Sequence, residues 1–259
     1  MSYPLNFSKS HLFKLSIPIF FSNLAIPFVG LVDTGLMGHL SSEKFLAAIS
    51  IAASVMTMIL WSFGFLRMGT VGLVAQALGK KNHDEIILIF IRNFTLALII
   101  GFFIILLRNP ILLSIEHFFK PTQITQILIH DYISIRIFSA PAELVIFVLA
   151  GFYLGLQKTK IASLGIFIFC FGNVILSSIF VIYFNLEVSG AALGTVISAY
   201  ITVFVFLIFS YLKFKKSLNH SLSYTQIFKK KKLFELFNIN LNIFIRTILL
   251  TFSFLWVTY

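Results

Sequence analysis

Asp33 is the ionisable residue whose position most needs a reason. It lies in Leu15–Gly38, reading LSIPIFFSNLAIPFVGLVDTGLMG, where it is the only charged side chain. An acid at bilayer depth costs about 2.5–3.5 kcal/mol on insertion scales, and such groups mark ion and proton paths. An acid there can take up and release a proton as its surroundings change. The competing reading is a structural acid paired with Arg67 or Arg136. The same helix carries Pro18 and Pro27, each removing a backbone hydrogen bond and each a defined cause of bending. With an acid close beyond Pro27, a functional bend is the expectation.

Three further polar residues fall inside apolar runs. Asn173 and Ser177 are spaced i, i+4, which puts them on one helix face. Thr195 lies in Gly190–Ser198, whose small residues suit close helix packing. Taken alone, Asn173 and Thr195 read as interhelical glue. Arg67, Arg136 and Glu143 read as structural, with the last two near one face at the start of a span and partly interfacial. Cys170, the single cysteine, reads as a small core residue. The six histidines show no metal-ligand spacing, and no nucleophile–base set is present, so an enzyme is not expected.

The elements that must hold these residues follow from composition. The chain has 259 residues, 59% of them hydrophobic and 11% charged, against about 25% charged in soluble domains. Mean hydropathy is +0.99. Runs of about 20 apolar residues are membrane spans. The fold class is therefore all-α, a polytopic membrane helical bundle. Spans are predicted at about 13–38, 46–66 (continuing helically to about 78), 86–107, 132–156, 161–184 and 190–212, with a seventh starting near 240.

The net charge of +11 does not point to nucleic acid, because the basic residues sit between spans, where they set topology. With the N-terminus inside, 14 of the 20 basic residues face the cytoplasm and three, Lys44, Arg108 and Lys120, face out. The expected location is the cytoplasmic (inner) membrane, multi-pass, N-terminus cytoplasmic. Residues 213–237, with their Phe228–Leu233 basic run, read as a cytoplasmic linker that also attracts membrane lipid. The expected organisation is a six-helix lobe at 1–212, the linker at 213–237, and an incomplete first helix of a second lobe at 238–259. Transporters are often built from two such repeats.

The motifs resemble the multidrug and toxic compound extrusion (MATE) family, most closely its DinF-like branch. The matching pieces are Ile17-Pro18, Leu31-Val-Asp-Thr34, Gly38-His-Leu40, Phe65-Leu-Arg-Met68 and Gly72-Leu-Val-Ala-Gln-Ala-Leu-Gly79. They continue through Ile135-Arg-Ile-Phe-Ser-Ala-Pro-Ala142, Gly155-Leu-Gln157, Gly172-Asn173 and Ser189-Gly-Ala-Ala192. The resemblance implies two six-helix lobes and export of cationic or amphipathic small molecules against inward H⁺ or Na⁺. It places Asp33 on the cation-binding acid, Pro18 on the bending proline, and Asn173 and Thr195 on the polar residues completing the cavity. Ser177 stands where many relatives carry a second acid, which favours H⁺ over Na⁺ as the coupling ion, since hard cations want several oxygen ligands and compensating charge. No cofactor is expected. The alternatives are a half-transporter inactive alone, pairing with a second copy or a separately encoded C-terminal lobe, and a flippase for lipid-linked sugars.

Overall fold

The computed structural model describes residues 9–38 and 43–218, with 229, 230, 232, 234, 236, 238, 240–246 and 249. Among these the chain is helical throughout, without strands: α1 Lys9–Gly38, α2 Glu43–Ser62, α3 Phe65–Gly79, α4 His83–Leu106 and α5 Arg108–Phe119. There follow α6 Gln123–Arg136, a 3₁₀ turn at Ile137–Ser139, α7 Ala140–Gly155, α8 Thr159–Ser178, a π turn at Ile179–Tyr183 and α9 Glu187–Leu218. Five described segments are long and apolar enough to cross a membrane: Lys44–Gly79, His83–Leu106, Gln123–Gly155, Thr159–Tyr183 and Glu187–Leu212. Phe13–Ser22 is a shorter apolar helical stretch.

Local sequence explains the ends. Asn82 accepts a hydrogen bond from the Glu85 backbone N–H at 3.0 Å, capping α4. Asp84 and Glu85 then sit in its first turn, against the positive end of the helix dipole. At the other end of α5, Lys120 adopts a left-handed conformation with φ 43°.

Helices α3, α4 and α7 share one apolar core around Leu66, Val74, Leu144 and Val148. A second core joins α2, α6 and α9 through Ala52, Ile133 and Ala192. Close approach depends on glycine at two contacts. A Cβ at Gly155 would lie 2.7 Å from Val74 Cβ, and one at Gly194 would lie 2.5 Å from the Ser177 backbone nitrogen. Outward faces carry large exposed apolar side chains such as Phe20, Phe102, Leu106 and Phe204, as a lipid-facing bundle requires.

Four sequence expectations are corrected. The fourth span starts at Gln123, not near 132, because α6 continues helically through the polar stretch containing His130 and Asp131. The second span does not run unbroken to 78: it turns at Phe63–Gly64 before α3. The short helix α5 was not expected at all. Finally, α9 continues to Leu218, six residues into the segment read as linker. Residues 240–246, at the start of the expected seventh span, are helical and pack on α3, with Phe244 edge-on to Phe65 at 5.7 Å between ring centres. Residues 250–259 lie outside the described residues.

Candidate functional site

The site begins at the break between α6 and α7. Pro141 has no N–H, so the Ile137 carbonyl loses its usual partner four residues on. The chain winds as a 3₁₀ turn there, and the Ser139 hydroxyl donates to the Arg136 carbonyl at 2.7 Å. The Arg136 guanidinium donates to Glu143 Oε1 at 2.5 Å and also to the Ser139 hydroxyl. These two charged side chains are only 10% and 12% exposed. Ser139 is the central residue of the 33-residue segment Gln123–Gly155, so the pair lies near the middle of that helical segment.

The second break delivers another arginine. The Phe63 N–H donates to the Leu60 carbonyl at 3.0 Å and the Gly64 N–H to the Trp61 carbonyl at 2.9 Å, a tight turn that ends α2. Helix α3 resumes at Phe65 and presents Arg67 toward α7. Gly151 lets the two backbones meet there, since a Cβ would lie 2.6 Å from the Arg67 carbonyl oxygen.

Helices α8 and α9 supply the neutral polar wall. The Asn173 amide Nδ2 donates to the Thr195 hydroxyl at 2.7 Å, and that hydroxyl donates onward to the Ala191 carbonyl at 3.0 Å. This chain fixes which amide atom points where, and it leaves Asn173 Oδ1 buried with no hydrogen-bond partner among the described residues. A buried acceptor without a donor costs about 1–3 kcal/mol, so such a group invites one. Ser177, fully buried one turn later, packs on Gly194 and reaches the Ala191 carbonyl only at 3.4 Å.

These parts enclose a cavity of about 400 Å³. Thr57, Arg67, Tyr132, Arg136, Glu143, Asn173 and Thr195 supply polar groups, while Trp61, Phe147, Ile166 and Phe169 give it apolar and aromatic walls. A volume of this size, mostly apolar with a few convergent polar groups, matches small-molecule sites. Of the residues singled out from sequence, Asn173 and Thr195 line the cavity, and Ser177 is not among its described lining residues. Pro18 is half-buried in α1. Asp33 and Pro27 also lie on α1, but their side chains fall outside the described residues. Helix α1 packs along α8, so the helix carrying Asp33 is the neighbour of the helix carrying Asn173. Sequence reasoning assigned Arg67 and the Arg136–Glu143 pair no place in a site. The available signal was Pro141 between two opposite charges seven residues apart.

Residues 18–181 match the MatE family model. The chain belongs to the MatE family. It is 35% identical over 201 residues to DNA damage-inducible protein F of Escherichia coli K12, covering 78% of this chain and 44% of that protein. It is 27% identical over 250 residues to the multidrug export protein MepA of Staphylococcus saprophyticus, covering 94% of this chain and 54% of that one. A crystal structure of a MATE protein in complex with MaD3S superposes with a TM-score of 0.75 at 21% identity, covering 89% of this chain and 52% of that chain. The chain thus spans about half the length of the curated relatives it matches. MatE membership and the DinF-like resemblance both rest on the membrane helices described above, so the chain is a multi-pass membrane protein.

Proposed function

We propose that this chain forms the cavity-bearing half of an exporter that moves small amphipathic or cationic molecules across the inner membrane, driven by inward H⁺. The observation that carries the reading is the cavity between membrane-length helices, with Asn173 Oδ1 left as a buried acceptor beside it. A protonated Asp33 carboxyl is a hydrogen-bond donor, and the carboxylate is an acceptor only. Protonation therefore changes what Asp33 can offer to Asn173, and it removes a charge that would draw a cation. Such a difference between two protonation states can shift α1, with its Pro18 and Pro27, between two shapes. Na⁺ is the less favoured coupling ion, because Ser177 brings no charge where relatives carry an acid.

The N-terminus is placed inside by the distribution of basic residues, and residues 1–212, 213–237 and 238–259 are read as lobe, linker and start of a second lobe. Because the chain spans half of its relatives, a second lobe, from another copy or another polypeptide, completes the pathway in this reading. Efflux of a fluorescent amphiphile from cells expressing the chain, with and without a proton uncoupler, tests it. Uncoupler-sensitive efflux is expected. Efflux no different from that of empty cells, with the protein present in the membrane, overturns completion by a second copy, and the same result with a C-terminal MatE lobe co-expressed overturns the export reading.

A further inference from the structure

We infer that Arg67 forms an anion subsite of the cavity, so that the preferred guest carries a carboxylate, sulfonate or phosphate beside an aromatic or apolar body; the inference rests on the export reading and narrows its cargo to amphipathic molecules with an anionic group, in place of simple cations. The charges on the described cavity wall do not cancel. Arg136 is neutralised by Glu143 at 2.5 Å. Arg67 makes no hydrogen bond or ion pair among the described residues. Among the described lining residues, α2, α8 and α9 contribute no charged group, Asn173 and Thr195 being neutral. One positive charge is left over.

Arg67 lies in a segment long and apolar enough to cross a membrane, Lys44–Gly79. Charged side chains within such segments face a cavity and pair with something. A guanidinium is a fork of donors matched to planar oxyanions. The aromatic rings of Trp61, Phe147 and Phe169 line the same cavity and suit the remainder of such a molecule.

The test uses two dyes on one xanthene skeleton, anionic fluorescein and cationic tetramethylrhodamine methyl ester. Each is titrated into the purified 259-residue chain in an uncharged detergent and followed by fluorescence anisotropy. Fluorescein is expected to bind the more tightly, and Arg67→Gln to weaken it about tenfold to a hundredfold, the equivalent of one charge-assisted hydrogen bond. Arg67→Lys should recover most of that loss, while rhodamine binding holds or strengthens in Arg67→Gln. Size-exclusion profiles that match wild type establish that the variants are folded. Tighter rhodamine than fluorescein binding overturns the anion subsite and leaves export standing. Fluorescein binding indifferent to Arg67→Gln overturns it too, and indicates that another group, Asp33 included, already neutralises Arg67. Binding of neither dye by folded protein overturns the anion subsite and leaves export to the efflux test.

Discussion

Replacing Glu143 by alanine leaves the Arg136 guanidinium buried without its carboxylate. The pair is 2.5 Å apart and both side chains are about nine-tenths buried, so solvent screens the interaction little. Removing one partner of such a pair costs about 3–5 kcal/mol, most of it the penalty of an uncompensated charge. The Ser139 hydroxyl, which also accepts from Arg136, recovers only part of this. Replacing both residues by apolar ones of similar size, Arg136→Met with Glu143→Leu, removes the charge problem and is expected to cost less than half as much. The assay is reversible unfolding of the purified chain in mixed micelles as the denaturing detergent fraction rises, followed by circular dichroism. A double-mutant cycle then separates the coupling from the individual losses. If Glu143→Ala lies within about 1 kcal/mol of wild type, or if the double variant is less stable than the single one, the pair does not hold the α6–α7 break as described.

Two more stability predictions follow from close contacts. Gly194→Ala forces a methyl to within 2.5 Å of the Ser177 backbone nitrogen, pushing α9 from α8 and breaking the Asn173–Thr195 bond. Unfolding should shift by about 1–3 kcal/mol, as overpacking usually does, and fluorescent-amphiphile binding should weaken with it; unchanged stability would show that the two helices relax freely. Asn82→Ala removes the α4 cap and should cost about 1 kcal/mol in the same unfolding assay, whereas Asn82→Asp should hold it.

Hydropathy made most of the bundle legible, because the bilayer demands long apolar runs wherever a helix crosses. The errors share one cause. A span is recognised by apolarity, whereas a helix continues as long as its backbone hydrogen bonds do. Thus α6 extends nine residues earlier than read, through Gln126, His130 and Asp131, and the short α5, with Arg108, Asn109 and Glu116, was missed. Asn173 and Thr195 were legible as a pair because polar residues in apolar helices at matching depth have few partners other than each other. Arg67 was not, because the turn at Phe63–Gly64 that aims it into the cavity leaves no mark stronger than a glycine.

The most direct test of proton-coupled export is exchange in liposomes holding the purified chain, with a pH-sensitive dye inside. An outward gradient of a transported amphiphile should drive protons inward in the wild type. Asp33→Asn, which cannot change its charge, should leave the internal pH flat while still binding the amphiphile. Proton movement that persists in Asp33→Asn would contradict the assignment of the coupling step to this acid.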